Sequence, residues 1–197
     1  MLRPCPGRGN ATMTGSSSEQ ANGRPLPLLV MVSGAPGSGK SALARLLADE
    51  LDVPWLNRDR LSRGIRLTES QFPDSSRSWK LWYDTLAHLL KQSVSLVMDQ
   101  TMYRGITEAD IKVRLLGHCR ARLIHCYAPN ALDRLQARER ARHGESSAEF
   151  RRVFGLAVEA QSLTIEPLDL GVDVLTVETL DEYRPSLQTM VEFLLRA

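Results

Sequence analysis

The sequence predicts an α/β domain of three layers, in which helices cover both faces of a five-stranded parallel sheet. Short apolar runs alternate with amphipathic helical segments along most of the chain, as in βαβ units. The first run, residues 27–33, is almost continuously apolar, which is typical of a parallel strand covered on both faces. The chain has 197 residues, of which 43% are hydrophobic and 24% charged. This composition indicates one ordinary domain with a sizeable core.

The apolar runs and turn signals place the strands in order. The five predicted strands are residues 27–33, 54–57, 93–98, 122–127 and 172–177. Apolar side chains at helical spacing place the helices between them. One predicted helix follows the first strand, and another closes the chain. The helices between them are predicted at residues 76–92, from Thr107 to about Cys119, from Asn130 to about Arg142 and from Ser146 to about Gln161.

Local signals support the ends of these helices. Thr107 with Asp110 three residues later resembles a capping box. Asn130 is a favourable N-cap residue, and Pro185 suits an early position of the closing helix. These signals predict three helix starts.

The first 25 residues are rich in Gly, Pro, Ser and Asn and contain few apolar side chains. Such a segment cannot offset the entropy of ordering, so we interpret it as a disordered tail before a domain spanning residues 26–197. A transit peptide is the alternative, because no acidic residue precedes Glu19. The prolines and glycines oppose the amphipathic helix that such a peptide needs.

The charge balance excludes some functions and leaves others open. Twenty-five basic and 23 acidic side chains give a net charge of +2, which argues against a dedicated nucleic-acid coat but not against a local basic groove. No apolar stretch approaches the ~20 residues that a membrane crossing needs. We expect no membrane partner and a cytoplasmic location, where the three cysteines would be reduced thiols.

Two His-Cys pairs raise the question of a zinc site. His125 and Cys126 lie in a predicted strand, where adjacent side chains point to opposite faces and cannot share one metal ion. We therefore do not expect His125 and Cys126 to form a zinc site with His118 and Cys119.

Residues 34–41, GAPGSGKS, match the phosphate-binding loop pattern G-x-x-x-x-G-K-[ST] between a predicted strand and helix. Glycines let backbone N–H groups curl around an anion, and the helix N-terminus adds positive charge. Lys40 would reach the β- and γ-phosphates, and the Ser41 hydroxyl would bind Mg²⁺. The predicted ATP-binding residues are Gly34, Ala35, Pro36, Gly37, Ser38, Gly39, Lys40, Ser41 and Ala42.

Two carboxylates follow predicted strands and so lie at the ligand-binding edge of the sheet. Asp59 could accept the proton of an attacking hydroxyl, and it could also cap the helix that follows it. Asp99 ends an apolar run in the manner of a Walker B motif and would hold Mg²⁺ directly or through water. A simple strand-end cap is the alternative for Asp99.

The segments GAPGSGKSALARLL, LNRDRLSRGIR and MDQTMY, followed by an arginine-rich helix, resemble the P-loop kinase family that includes the phage-type polynucleotide 5′-kinases. Chloramphenicol phosphotransferase and the zeta toxins are more distant relatives. The resemblance covers roughly residues 28–154 and implies the strand order 2-3-1-4-5 and a helical lid. It makes Asp59 the general base and places Asp99, Gln100 and Thr101 at the acceptor cleft.

The same resemblance assigns roles to arginines. Family members hold the acceptor with an arginine three residues after the base, where this chain has Ser62, so Arg63 is the candidate here. Arg138 and Arg142 match the lid arginines that neutralise the transferring phosphoryl group. We interpret Arg134 and Arg140 as solvated charges, with Glu139 and Asp133 as partners.

An aromatic stripe, Trp79, Trp82 and Tyr83, falls in the region where the family builds its acceptor pocket. These rings could stack on a base or sugar. A core position is the favoured alternative, since a helical tryptophan stripe usually packs inward.

Together these features predict a Mg²⁺-dependent kinase that transfers the γ-phosphoryl group of ATP to a hydroxyl, either of a polynucleotide 5′ end or of a small molecule. A small-molecule O-phosphotransferase and a nucleotide-binding regulatory ATPase module remain alternatives. No N-K-x-D guanine motif is present.

Overall fold

The computed structural model describes residues 25–68, 75–159 and 161–196. The tail expected at residues 1–25 therefore lies almost entirely outside the described residues. Within the described ranges, no helix is long and apolar enough to cross a membrane.

The fold is built on one six-stranded sheet. The strands are β1 (Leu28–Gly34), β2 (Trp55–Asn57), β3 (Leu96–Asp99), β4 (Arg120–Tyr127), β5 (Asp173–Thr179) and β6 (Tyr183–Arg184). Their order is β2-β3-β1-β4-β5-β6, and all neighbours are parallel except β5 and β6. The predicted order 2-3-1-4-5 is confirmed. The antiparallel β6 corrects the predicted strand count, because a strand of two residues carries no periodicity that a sequence pattern could reveal.

Seven α-helices surround the sheet in the described part of the chain. They are α1 (Lys40–Leu51), α2 (Arg58–Thr68), α3 (Ser75–Lys91), α4 (Glu108–Arg114), α5 (Ala131–His143), α6 (Ala148–Glu159) and α7 (Leu187–Leu195), with short 3₁₀ turns at Leu116–His118 and Gln161–Leu163. Each predicted helix is present, although α4 ends at Arg114 instead of continuing to about Cys119.

Three predicted capping arrangements are wrong in detail. Thr107 occupies the N-cap of α4 without a side-chain bond into the helix, since its hydroxyl bonds the backbone of Tyr103. Asn130 likewise precedes α5 without a side-chain cap. Pro185 lies before the N-cap residue Ser186, whose hydroxyl accepts a hydrogen bond from the Thr189 backbone N–H.

The core consists of two apolar clusters, one on each face of the sheet. Alternate β1 residues point to opposite faces, so Leu29 and Met31 join one cluster and Val30 and Val32 the other. The first cluster includes buried residues of α3 and α4, and the second includes buried residues of α1 and α7. This arrangement gives the predicted three layers, α, β and α.

The parallel register brings polar residues together at the carboxyl edge of the sheet. Asp99 pairs with Val32 of β1 on one side and with Asn57 of β2 on the other. Gly34, which ends β1, pairs with Cys126 of β4. The end of β1, the start of α2 and the end of β3 therefore face a common space above the sheet.

Candidate active site

The glycine-rich loop between β1 and α1 is closely packed against its neighbours. Gly37 has a φ of +89°, and a Cβ there would overlap the carbonyl of Ala131 at the start of α5. Gly34 has a φ of +138°, and a Cβ there would overlap the carbonyl oxygen of Cys126. Only glycine fits both conformations and both spaces. The loop is thus held in a curled shape that leaves the N-terminus of α1 at the mouth of the site.

Lys40, the first residue of α1, folds back over this loop. Its Nζ donates a weak hydrogen bond to the Ala35 carbonyl oxygen at 3.4 Å. Burial lowers the pKa of the ammonium group, and the charges of Asp99 and Asp59 oppose that shift. Arg138 of α5 lowers the pKa further. The ammonium group therefore lies within electrostatic reach of two carboxylates and a guanidinium that are far apart in the sequence.

Asp99 ends β3 and is only 1% exposed. Its Oδ2 accepts a hydrogen bond from Asn57 Nδ2 at 2.5 Å, whereas Oδ1 is buried and has no hydrogen-bond partner among the described residues. Burial raises the pKa of this carboxyl group, and the hydroxyl of Ser41 and the ammonium of Lys40 oppose the shift. A buried carboxylate oxygen without a donor is a suitable ligand for a hard cation such as Mg²⁺.

Asp59 is the second residue of α2, and its side chain is exposed. Its charge affects the pKa of Lys40 and of Asp99, which places the carboxylate beside the glycine-rich loop. The predicted capping role belongs instead to Asn57, whose Oδ1 accepts a hydrogen bond from the Arg60 backbone N–H at 2.9 Å. Among the described residues, Asp59 forms no hydrogen bond or ion pair, and it follows the end of β2 at the carboxyl edge of the sheet.

The candidate acceptor residues differ in their burial and in their hydrogen-bond partners. Thr101 is half-buried just after β3. Arg63 is exposed on α2 and forms no hydrogen bond or ion pair with other described residues. Ser62, where the resemblance expects an arginine, bonds the Ser78 hydroxyl of α3 at 3.0 Å. Gln100 donates to the Tyr83 hydroxyl at 3.3 Å.

The aromatic stripe divides between core and site. Trp82 and Tyr83 are 1% and 2% exposed and belong to the core, as the favoured interpretation expected. Trp79 is half-buried and stacks on Tyr83, with ring centroids 5.9 Å apart. The Arg58 guanidinium carbon lies 3.5 Å from the centroid of the Trp79 ring.

A buried carboxylate organises the arginines of α5. Glu139 Oε1 accepts from Arg138 Nε at 2.8 Å and from Arg142 Nη1 at 3.4 Å, and Oε2 lies 3.5 Å from His143 Nε2. Glu139 thus partners the two proposed lid arginines, and the expectation that it pairs with Arg134 and Arg140 is wrong. Arg140 pairs with Glu145 at 2.7 Å.

Two residues beside the loop were missed as site residues. Arg134 Nη1 donates to the Thr179 carbonyl oxygen at 2.7 Å, and its Nη2 lies 3.8 Å from the position of a Cβ on Gly39. The Thr179 hydroxyl donates to the Ser38 carbonyl oxygen. The spacing of Arg134, Arg138 and Arg142 at successive helical turns was the only signal for Arg134, and Thr179 falls just beyond the predicted fifth strand.

His125 and Cys126 point to opposite faces, as predicted from the strand geometry. His125 contacts the Ser33 hydroxyl and the Ile165 carbonyl oxygen, whereas Cys126 packs in the apolar cluster on the other face. Burial raises the pKa of the Cys126 thiol to about 12. Among the described residues, no group of three or more His, Cys, Asp or Glu side chains has a metal-binding arrangement.

The sheet order and the glycine-rich loop define a P-loop domain with a kinase-type fold. The AAA domain family AAA_33 matches residues 29–161, so the chain belongs to that family. The resemblance to P-loop kinases drawn from the motifs is thereby confirmed.

Solved structures share this fold at low sequence identity. A putative kinase from Chloroflexus aurantiacus is 23% identical with a TM-score of 0.66, covering 87% of this chain and 95% of its own. A gluconokinase from Sinorhizobium meliloti is 18% identical with a TM-score of 0.53, covering 87% and 91%. A chain of the Pnkp1/Rnl/Hen1 RNA repair complex is 18% identical with a TM-score of 0.52, covering 78% and 52%. No curated protein matches the sequence.

Proposed function

We propose that this chain is a phosphotransferase that moves the γ-phosphoryl group of ATP to an acceptor hydroxyl. The observation that carries the proposal is the convergence of Lys40, Asp59 and Asp99, in which Asp59 influences the pKa of both other groups. A cation for the phosphates, an unbonded carboxylate and a buried carboxylate are the parts that phosphoryl transfer requires. The two kinases whose solved structures share the fold support the same class.

Each residue has a distinct part in the proposed reaction. The backbone N–H groups of the loop and Lys40 would hold the β- and γ-phosphates. Asp59 would accept the proton of the acceptor hydroxyl while the oxygen attacks the γ-phosphorus. The new O–P bond forms as the bond to the β-phosphate oxygen breaks, and ADP leaves with that electron pair.

Ser41 and Asp99 fit a magnesium ion, which would neutralise charge on the phosphates. The unpartnered Asp99 Oδ1 supports this assignment because a metal ion would satisfy it. Arg138 and Arg142 both contact Glu139, and the charge of Arg138 also lowers the pKa of Lys40. We therefore propose that α5 acts as a lid whose arginines change partners on nucleotide binding.

The acceptor is the open part of the proposal. A cavity of about 230 Å³ beside the loop is lined largely by apolar residues, including Ala35, Pro36, Ala131, Leu132 and Ala157. No residue of β2, α2, α3 or β3 lines this cavity, so it lies apart from Asp59 and does not define the acceptor. A chain of an RNA repair complex shares the fold, so a polynucleotide 5′ end is one of the acceptors that we propose to test.

A transfer screen with γ-labelled ATP tests the proposal. The panel contains 5′-hydroxyl oligonucleotides, aminoglycosides, phenicols, nucleosides and sugars, each with Mg²⁺ and with EDTA. We expect label on one acceptor class, a loss of at least about 100-fold in transfer for Asp59→Asn, and ADP affinity unchanged in that variant. Asp49→Asn, an exposed aspartate of α1, is the matched control and should keep full transfer.

Label released only as free phosphate across the whole panel would contradict the proposal and indicate a regulatory ATPase. Full transfer by Asp59→Asn would remove Asp59 as the base. Lys40→Ala separates the two parts of the machinery, because it should lose nucleotide binding itself.

A further inference from the structure

Arg58 is held in a defined orientation at the entrance to the site. It is the first residue of α2 and directly follows Asn57, which ends β2. Its guanidinium stacks on Trp79 of α3, with the central carbon 3.5 Å from the ring centroid. Such a cation–π contact fixes the plane of the guanidinium and favours its charged form.

The hydrogen-bonding capacity of Arg58 is unused. Its Nε is buried and has no hydrogen-bond partner. Within the described residues, no carboxylate lies within ion-pair distance of the guanidinium and none of its five N–H donors is bonded. An unpartnered buried donor is costly, and a ligand that supplied an acceptor there would remove that cost.

The surroundings of Arg58 are those of the proposed acceptor site. Burial lowers the pKa of Arg58, and the nearby groups that oppose this shift are Asp59, Tyr103 and Tyr83. Asp59 is the proposed base, and Tyr103 lies just beyond the end of β3. An anion bound by Arg58 would therefore belong to a molecule whose hydroxyl is within reach of Asp59.

The neighbouring cations of α2 are placed differently. The Arg60 guanidinium carbon lies 4.9 Å from the centroid of the Trp55 ring. Arg63 is exposed and stacks on no described ring. Of these three arginines, only Arg58 combines a fixed plane, a buried unpartnered donor and proximity to Asp59.

We propose that Arg58 binds an oxyanion, phosphate or carboxylate, carried by the acceptor whose hydroxyl Asp59 deprotonates. This inference rests on the proposed function and narrows its substrate class to anionic alcohols. The guanidinium edge offers two parallel donors that match the two oxygens of either anion. Stacking on Trp79 fixes the plane of the guanidinium, which would make Arg58 a specificity-determining residue.

Binding to the ADP-saturated protein tests the proposal, because ADP occupies the glycine-rich loop and leaves the acceptor side free. Two matched probe pairs separate the two anions: adenosine 3′-monophosphate with adenosine, and gluconate with sorbitol. Calorimetry and tryptophan fluorescence measure each affinity. We expect the wild-type protein to bind the anionic member of one pair about 10- to 100-fold more tightly than its neutral partner.

Arg58→Ala should abolish this preference and leave the affinity for the neutral probe unchanged. Arg58→Lys should retain part of it, since an ammonium keeps the charge but loses the planar fork. Arg60→Ala is the matched control from the same helix turn and should keep the full preference. Equal binding of both members of each pair, no binding of any probe, or a preference that survives Arg58→Ala would overturn the proposal.

These measurements distinguish failure of the role proposed for Arg58 from failure of the proposed kinase function. An unchanged ADP affinity in Arg58→Ala shows that the variant is folded and its loop intact. Anion preference without transfer to any acceptor would sustain Arg58 as a binding residue while the kinase proposal fails. Equal transfer to neutral and anionic acceptors would sustain the kinase proposal while the role of Arg58 fails.

Discussion

Asn57 connects the buried carboxylate of Asp99 to the start of α2. Its Nδ2 donates to Asp99 Oδ2 at 2.5 Å, while its Oδ1 accepts from the Arg60 backbone N–H at 2.9 Å. One short side chain thus orients the carboxylate at the end of β3 and caps the helix that carries Asp59. The proposed base and the proposed magnesium ligand are therefore positioned by the same residue.

Replacing Asn57 should cost both stability and activity. Asn57→Ala removes a helix cap and leaves Asp99 Oδ2 without its donor, so the free energy of unfolding should fall by about 2 kcal/mol. Urea denaturation measures the loss. Asn130→Ala is the control, because Asn130 precedes α5 without a side-chain bond and should cost less than about 0.5 kcal/mol. Equal losses in the two variants would contradict the connection described for Asn57.

Two glycine substitutions should have effects of opposite sign. Gly37→Ala places a Cβ against the Ala131 carbonyl at a φ of +89°, so we expect a loss of about 2 kcal/mol in stability and impaired ADP binding. Gly64→Ala lies inside α2 with nothing within 4 Å of the added Cβ. That variant should gain about 0.5–1 kcal/mol, because alanine favours a helix. Thermal unfolding with and without ADP compares them, and a tolerated Gly37→Ala would refute the close packing of loop and α5.

The α5 arginines should differ sharply in their effect on transfer. Arg138 influences the pKa of Lys40, whereas Arg140 pairs with the exposed Glu145. Arg138→Ala should lower kcat by about 1,000-fold, the effect typical of an arginine that stabilises a transferring phosphoryl group. Arg140→Ala should leave kcat and the KM for ATP nearly unchanged. Steady-state kinetics of phosphoryl transfer measure both constants for each variant. Similar kcat values for the two variants would exclude a special role for Arg138.

His125 should make the stability of the fold depend on pH. A carbonyl oxygen only accepts, so Nε2 donates to Ile165 at 2.8 Å and Nδ1 accepts from the Ser33 hydroxyl. Burial lowers the pKa of His125 below its ordinary value of 6.5, so the unfolded chain binds the proton more readily. The free energy of unfolding should therefore fall as the pH decreases below about 6.5.

The variant His125→Gln keeps a donor for the Ile165 carbonyl but does not titrate. Its free energy of unfolding should lose this part of the pH dependence between pH values of about 5 and 7. Urea denaturation at a series of pH values measures the slope. An identical slope in the wild-type protein and the variant would mean that another group is responsible.

Much of the fold follows from local sequence patterns. The continuous apolar run of β1 and the glycine spacing after it predict a strand, a loop and a helix, all of which the structure contains. Strand ends and helix caps were less predictable. The sequence allowed Asp59 to cap α2, but Asn57 forms that cap. Both residue types are good N-caps, and only the backbone geometry selects between them.

The roles of the arginines were the least predictable part of the site. Arg134, Arg138 and Arg142 follow one another at helical spacing and are chemically identical, so the pattern alone does not separate them. The structure distinguishes them by their partners: Thr179 for the first and Glu139 for the other two. Arg58 carried no sequence signal beyond its place in the N-R-D segment, since its stacking on Trp79 joins two different helices.

The sequence by itself determined the order of strands and helices and the residues of the phosphate-binding loop, because periodicity, glycine spacing and turn chemistry act over short stretches of chain. Tertiary structure alone decided which charged groups share a space. Asp99 meets Asn57 through strand register, and Lys40 lies within electrostatic reach of Asp59 and Arg138, which belong to two other helices. Such contacts depend on distances between distant segments, which no local pattern encodes.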